Sequence, residues 1–278
     1  MKKSFSLAGL GIALTIVLAT VTGCSKKADS FHYSIFCHHI ETIAEQEGIS
    51  FAEAAAKIKD LGYAGADIDI WMSDENLAVL HEQGFIIPCG YCTIDFANGD
   101  CGDQEAKSLD RISSIGLGKL LLIPGFIDED FSEEEYQAMV GRIGSFIDKA
   151  AKIGCSVLVE DYDSQDSPCY NIERLSNLFE DIPSLGHVFD SGNYIFAGDD
   201  ALVALDKFMP RISHIHFKDR VSESDMKCPA IGSGVIPFEE IMTKLHDASY
   251  DGWIAVEHFG SEHMLDDAAS SIEFLRSL

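Results

Sequence analysis

The chain has 278 residues, of which 46% are hydrophobic and 24% are charged, which is typical of globular proteins and excludes a disordered, collagen-like or small disulfide-stabilised chain. Acidic residues number 46 against 20 basic residues, which leaves a formal net charge of −26 at neutral pH. A surface this negative repels phosphate backbones, and we therefore expect no nucleic-acid partner.

The amino terminus is typical of an export signal. Two lysines precede an apolar stretch over residues 7–20, which is short for a membrane-spanning helix. Small residues then lead to Cys24, and this run resembles the cleavage site of a bacterial lipoprotein. We predict a signal peptide over residues 1–23, a lipid on Cys24 and a tether over residues 24–30; an uncleaved anchor is the alternative. Either one attaches residues 31–278 to a membrane of the bacterial cell envelope, outside the cytoplasm.

A repeated pattern then runs along the chain, in which a helical segment ends at a glycine or turn and a short apolar run follows. The glycines suit helix C-caps, and the nearly continuous apolar runs suit strands that are covered on both faces. Two helix starts have the serine and glutamate of a capping box, at Ser50 with Glu53 and at Ser132 with Glu135. Pro237 fits the first turn of a later helix.

Eight strand candidates alternate with these helices, within residues 34–36, 61–66, 83–87, 116–123, 154–160, 186–190, 211–217 and 251–257. Alternation of this length favours a parallel sheet, and eight units favour a closed (β/α)8 TIM barrel. No linker rich in proline or serine interrupts residues 31–278, so we predict one α/β domain.

The cysteines do not predict a disulfide framework. Seven follow Cys24, an odd number that cannot pair fully within one chain. Cys89 and Cys92 have the spacing of half a zinc or redox motif, but no second pair matches them. We therefore interpret these two as small buried residues on a strand.

Four strand candidates in the second half end in a side chain that is costly to bury: Glu160, Asp190, His216 and Glu257. Functional groups in such barrels project from the carboxyl ends of the strands. Three carboxylates that converge with an imidazole repel one another unless a cation lies between them, so we predict one divalent metal ion. Oxygen-rich ligation favours manganese, with magnesium, cobalt and zinc as alternatives. For each residue taken singly, the alternative is a solvated strand end.

The second half of the chain resembles the sugar phosphate isomerase/epimerase family of xylose isomerase-like TIM barrels. The matching stretches are residues 154–160, 187–193, 214–219, 231–238 and 250–257. The most specific stretch is a Gly-x-Gly-x-Ile-Pro-Phe run, followed by Tyr-Asp-Gly-Trp and a strand that ends in Val-Glu. The first half resembles the family more loosely, mainly at residues 61–65, and together the matches span most of residues 31–277.

The resemblance implies that one divalent ion is bound by Glu160, Asp190, His216 and Glu257. It also implies that Glu160 and Glu257 move protons at a carbon beside the carbonyl of a small carbohydrate or keto-sugar. A metal ion stabilises the resulting enediolate, and two glutamates on opposite faces remove and return the proton.

One departure from the family pattern is Asn193, which stands where many members have a histidine. An asparagine can hydrogen-bond a substrate hydroxyl but cannot act as a general acid. We predict that Asn193 contacts substrate, with a turn residue as the alternative. The missing histidine and the acidic charge argue against the DNA-repair members of the family.

Further candidates flank these four residues. Lys218 is predicted to bind substrate or a carboxylate, with a surface loop as the alternative. Asp67 matches a position where many members carry glutamate, and we predict that it reaches the substrate from the second strand. His214 lies two residues before His216, so it should support the site from one layer deeper. The tandem His38 and His39 point to opposite faces if they end a strand, so at most one serves the site.

The sequence therefore predicts an exported, lipid-anchored, metal-dependent sugar isomerase or epimerase. A keto-glycoside lyase or hydrolase that uses the same site is the enzymatic alternative, because α-proton abstraction also drives β-elimination. A non-catalytic carbohydrate-binding lipoprotein is the second alternative. The sequence is compatible with a homo-oligomer and does not determine the oligomeric state.

Overall fold

The computed structural model describes residue 1 and residues 31–278, except residues 100, 129 and 226. The predicted cleavage site, the lipidation of Cys24 and the tether fall outside this range. Within it, no helix is both long enough and apolar enough to cross a membrane. One compact unit covers Phe31–Leu278.

Eight parallel strands close into a barrel in which each strand pairs with the next and the last pairs with the first. This confirms the predicted single (β/α)8 barrel. The strands are β1 (His32–Phe36), β2 (Gly65–Asp69), β3 (Gly90–Thr93), β4 (Lys119–Ile123), β5 (Ser156–Glu160), β6 (Gly186–Asp190), β7 (Ile212–Lys218) and β8 (Trp253–Glu257).

The third strand differs from the prediction. The apolar run at residues 85–87 lies before β3, and only Ile86 makes an isolated bridge, to Gly65. Pro88 follows this run and has no backbone N–H to donate to a strand ladder. The regular pairing therefore begins beyond the proline, at Gly90.

Helices surround the barrel in the described residues: α1 (Cys37–Glu47), α2 (Phe51–Leu61), α3 (Asp74–Glu82), α4 (Gly102–Ile115), α5 (Glu133–Lys152), α6 (Ile172–Asp181), α7 (Ala201–Phe208), α8 (Phe238–Asp247) and α9 (Met264–Ser277). Both predicted capping boxes are present, at Ser50 and at Ser132. Pro237 is the N-cap residue of α8, so it lies one position before the first turn, in which it was expected. The helix starts that a short local motif encodes are therefore the ones predicted best.

An apolar layer lies directly beneath the carboxyl ends of the strands. Cys89, Leu121, Leu158 and Val188 form a small cluster separate from the main core. Leu158 precedes Glu160 by two residues on β5, so both side chains point into the barrel, one layer apart. This apolar cluster therefore lies one layer below Glu160 in the barrel. Cys89 belongs to it and Cys92 to the main core, and none of the seven cysteines in the described part of the chain is in a disulfide.

Candidate metal centre

Four strand-end side chains meet at one rim of the barrel. Glu160, Asp190 and Glu257 are the last residues of β5, β6 and β8, and His216 lies two residues before the end of β7. The register pairs Asp190 of β6 with His216 of β7, so these two residues lie at the same height in the barrel. All four side chains are buried, and one potential ligand atom from each lies within 4.8 Å of the others.

The imidazole of His216 fits a metal ligand. Its Nδ1 lies 3.3 Å from Glu160 Oε2 and its Nε2 lies 3.6 Å from Asp67 Oδ2. Neither nitrogen makes a well-directed hydrogen bond within the described residues. A buried polar atom without a partner is unfavourable, and a cation between Nδ1 and the carboxylates would remove this penalty. Three carboxylates and one imidazole form a donor set suited to Mn²⁺, Mg²⁺ or Zn²⁺.

Asp67 supports this imidazole from below. Its Oδ1 accepts a hydrogen bond from Ser34 Oγ at 2.6 Å, and its Oδ2 contacts His214 Nε2, also at 2.6 Å. Burial opposes ionisation of Asp67, but the contacts with His214 and His216 outweigh it and hold the pKa of this carboxyl below its usual range. Both oxygens of Asp67 are bonded inside the protein and 1% of its surface is exposed, so it is a buried negative charge beside His214 and His216. The predicted contact of Asp67 with a substrate stays a prediction.

Lys218 holds the carboxylates together. Its ammonium lies 3.0 Å from Glu257 Oε2 and 3.2 Å from Asp190 Oδ2. Burial works against the charged form, but Asp190, Glu257 and Glu160 outweigh it and raise the pKa of Lys218 well above its usual value. The lysine thus supplies one of the positive charges that the acidic cluster needs, and a metal ion would compete with it for the same oxygens.

Replacing this lysine should destabilise the metal-free protein. Lys218→Met leaves buried carboxylates without their partner, and losing one side of a buried ion pair typically costs about 3–5 kcal/mol. We expect a lower free energy of unfolding by denaturant in the presence of chelator, and tighter Mn²⁺ binding by calorimetry, because no ammonium has to be displaced. Lys107→Met, on the exposed face of α4, is the matched control. Unchanged metal-free stability of Lys218→Met would contradict this electrostatic role.

Both the amide nitrogen and the amide oxygen of Asn193 are hydrogen-bonded to other groups of the protein. Its amide nitrogen donates to Glu160 Oε1 at 3.1 Å and to the carbonyl of Asp161 at 2.8 Å. Its amide oxygen accepts from Arg220 Nη2 at 2.8 Å and from Lys218 Nζ at 3.3 Å. These contacts orient Glu160, and the predicted contact of Asn193 with a substrate stays a prediction.

Sequence reasoning missed Asp161 and Arg220. Asp161 is fully buried, and its Oδ1 accepts from the backbone N–H of Asp190 at 3.0 Å, which fixes the end of β6. Burial, with repulsion from Asp190 and Glu160, raises the pKa of Asp161 well above its usual value. The sequence did contain a signal for both residues. Asp161 directly follows Glu160, and Arg220 directly follows Lys218 and Asp219, so each stands next to a charged residue at or just beyond the end of a strand.

The glycine-rich run after β7 is held by an internal carboxylate. Asp219 accepts hydrogen bonds from the backbone N–H groups of Gly232, Gly234 and Ile236, at 2.9, 2.7 and 3.2 Å. A Cβ on Gly234 would lie 2.2 Å from the carbonyl oxygen of Arg220, so no larger residue fits there. These N–H groups are therefore occupied by Asp219 and do not form a phosphate cradle.

A cavity of about 380 Å³, which we call the metal cavity, opens beside the four-residue cluster of Glu160, Asp190, His216 and Glu257. Glu160, Glu257 and Lys218 line it, together with His38 and Tyr91 from the first half of the chain. Tyr91 Oη lies 3.5 Å from His38 Nδ1. His39 faces away and accepts from the backbone N–H of His258 at 2.9 Å, so only one of the tandem histidines lines the cavity. Both belong to α1, which begins directly after β1.

Burial raises the pKa of Glu257 to about 7, against the opposing effect of the Lys218 ammonium. Repulsion from Asp190 and Glu160 acts in the same direction as burial. A carboxyl that gains and loses its proton near neutral pH is suited to general acid–base chemistry.

A model of the xylose isomerase-like TIM barrel family matches residues 44–278. Inosose dehydratase from Geobacillus thermodenitrificans is 29% identical over 145 residues, or 46% of this chain and 48% of that protein. Inosose dehydratase from Bacillus thuringiensis is 34% identical over 102 residues, or 31% of this chain and 34% of that protein. The matches thus span less than half the length of these relatives.

Solved structures of low sequence identity share the fold. The probable 3-DHS dehydratase of Bacillus anthracis gives a TM-score of 0.74 at 18% identity, covering 88% of this chain and 98% of that one. The 3-keto-D-glucoside 4-epimerase of E. coli gives 0.71 at 17% identity, covering 89% and 100%. At these sequence identities, the structural similarity is evidence for a shared fold only.

Proposed function

We propose, since the chain belongs to the xylose isomerase-like TIM barrel family, that it is an enzyme that uses one divalent ion to abstract a proton beside the carbonyl of a small sugar or keto-sugar. One observation carries this proposal. Glu160 and Glu257 belong both to the four-residue cluster and to the wall of the adjacent cavity. The two carboxylates can therefore share a metal ion and reach a bound ligand.

The cavity has the size of one sugar ring. Its volume of about 380 Å³ corresponds to roughly a dozen water molecules at ~30 Å³ each, and a hexose has a similar number of non-hydrogen atoms. Phe36, Leu121 and Ile123 form an apolar part of the wall. Such side chains exclude water, which strengthens electrostatic interactions at the polar end.

In this proposal Glu160, Asp190, His216 and Glu257 hold the ion, with manganese preferred. The ion would supply stabilisation for the negative charge that develops on the substrate oxygens. The amide nitrogen of Asn193 donates to Glu160, so this carboxylate keeps a fixed position while it accepts or returns a proton. Nδ1 of His216 faces Glu160 of the cluster at 3.3 Å, and Nε2 faces Asp67 on the other side of the ring at 3.6 Å.

Proton abstraction allows two outcomes. Return of a proton to carbon by the second glutamate gives an isomerase or epimerase, and the pair of cavity-lining glutamates supports this outcome. Loss of a group from the neighbouring carbon gives a dehydratase, or a keto-glycoside lyase or hydrolase. The relatives named inosose dehydratase support the second outcome.

A panel of sugars and keto-sugars in deuterated water, with Mn²⁺ present and NMR detection, tests the proposal. Deuterium that enters an intact carbon skeleton identifies an isomerase or epimerase, whereas loss of water or of a glycosidic group identifies a dehydratase, lyase or hydrolase. Ligand binding without either change, across the panel, would favour the carbohydrate-binding alternative over an enzyme.

The affinity for Mn²⁺ should rise with pH. Glu257, with a pKa of about 7, binds the ion as a carboxylate, and His216, whose pKa its acidic neighbours raise despite burial, binds it as a neutral imidazole. Both protons must leave when the ion binds, so acidification weakens binding. We expect the dissociation constant to fall about tenfold or more between pH 6 and pH 8, measured by calorimetry in buffers of different ionisation enthalpy. An affinity independent of pH in this range would contradict ligation by Glu257.

The membrane attachment through Cys24, the envelope location and a homo-oligomeric state stay proposals from the sequence. Metabolic labelling with a fatty acid, compared between the natural chain and Cys24→Ser, tests the lipid attachment directly.

A further inference from the structure

We infer that a second sugar-binding subsite lies beside the metal cavity and that the substrate therefore carries two linked rings. This inference rests on the proposed function, because it extends the ligand that the metal cavity would hold. It names the substrate class as a keto-sugar joined to a second pyranose.

The observation is a second cavity of about 440 Å³ at the same rim of the barrel. It shares Tyr162, Asp163 and Phe259 with the metal cavity, so these three side chains separate two adjoining spaces. Each space has the volume of roughly a dozen or more water molecules at ~30 Å³ each, and thus of one sugar ring. A single hexose leaves the second space unfilled.

Buried hydrogen bonds hold the wall between the two cavities in position. Arg220 is fully buried, and its guanidinium donates to Asp163 Oδ2 at 3.0 Å and to Asn193 Oδ1 at 2.8 Å. The same group lies over the ring of Phe196, 4.6 Å from its centroid. Arg220 lines the second cavity, which we call the outer cavity, and Asn193 in turn donates to Glu160 of the four-residue cluster. Two buried side chains, Arg220 and Asn193, therefore connect the outer cavity to this cluster. A pre-formed wall of this kind is typical of ligand sites.

Phe259 supplies the apolar surface. It follows β8, 48% of its surface is exposed, and its backbone oxygen accepts from the N–H of Cys228 at 3.1 Å. That hydrogen bond ties the loop after β8 to the loop after β7. The Lys218 ammonium lies over this ring, 5.2 Å from its centroid, on the side of the metal site, so the ring can pack against the C–H face of a pyranose on the side of the second cavity.

The polar groups of the outer cavity select a neutral, hydroxyl-rich ligand. Asp163 and Asp225 offer acceptors and Lys227 offers donors, which together suit the hydroxyl groups of a sugar. The lining carries two carboxylates, Asp163 and Asp225, and two cations, Arg220 and Lys227, so it has no excess of positive charge to attract a phosphate or carboxylate group. The combination of one aromatic face and mixed polar groups therefore points to a second sugar ring.

The test compares one-ring and two-ring ligands on the Mn²⁺-loaded protein by calorimetry. The probes are methyl β-D-glucoside, phenyl β-D-glucoside and cellobiose, with the corresponding galactose series. We expect the second sugar ring to tighten binding at least tenfold in one series. Lys227→Ala, which removes a side chain that lines the outer cavity, should reduce this gain at least threefold, whereas Lys107→Ala should leave it unchanged.

The outcomes separate the two proposals. If no probe binds, the proposed function falls and the subsite falls with it. If the one-ring glycosides bind and the second ring adds less than threefold, only the subsite is overturned. A phenyl group that adds as much affinity as the second sugar would overturn the assignment to a sugar ring.

Discussion

Replacing Glu257 by glutamine should lower turnover at least about a thousandfold while the barrel stays folded. The substitution keeps the shape of the side chain but removes its proton-transfer capacity, a loss typically worth 10²–10⁴ in rate, and it also weakens a metal ligand. Lys218 retains Asp190 as a partner at 3.2 Å, so the buried ammonium stays paired. Deuterium incorporation into substrate measures the rate, and circular dichroism checks the fold.

Two controls make this result specific. Glu273→Gln, on an exposed position of α9, should behave like the natural chain. Mn²⁺ binding to Glu257→Gln is measured in parallel, and the rate is compared at saturating metal so that loss of the ion does not mimic loss of the base. Natural turnover in Glu257→Gln under these conditions would remove Glu257 from the mechanism.

Removal of divalent ions with a chelator should abolish more than about nine-tenths of the activity, and Mn²⁺ or Mg²⁺ should restore it. The ion would replace repulsion among three buried carboxylates by attraction, so it should also stabilise the fold. A ligand present at 100 times its dissociation constant adds about 2.7 kcal/mol to the free energy of unfolding. A shift of the melting temperature on addition of Mn²⁺ therefore reports binding without any assay of catalysis.

Asp190→Asn tests whether that stabilisation arises at the four-residue cluster. We expect this variant to lose most of the Mn²⁺-dependent rise in melting temperature, because one of the four ligands has lost its charge. Asp148→Asn, on the exposed face of α5, should retain the full rise. An equal rise in both variants would place the bound ion elsewhere on this acidic protein.

The barrel could be predicted from local signals. Several helices start at residues that act within a few positions, such as the capping box of Ser50 and Glu53. The third strand was misplaced because the apolar run at residues 85–87 has the composition of a strand, and the pairing that decides β3 is not local.

Lys218 and Asp67 illustrate what local signals do not contain. Asp67 and His214 are 147 residues apart, and only closure of the barrel brings them within 2.6 Å. The depth of the Asp67 side chain in the barrel depends on the relative stagger of strands, which local signals do not contain. Likewise, the pairing of Lys218 with both Asp190 and Glu257 depends on three neighbouring strands at once.

The sequence by itself determined the order of strands and helices and the identity of the four strand-end groups, because in a parallel barrel every carboxyl end reaches the same rim. The tertiary structure alone decided which groups surround those four. The contacts among Lys218, Asn193 and Arg220, and the second cavity beside Phe259, form between strand ends and loops that meet only after the barrel has closed. Their contacts join residues distant in the chain, and such contacts leave no periodic signal in the sequence.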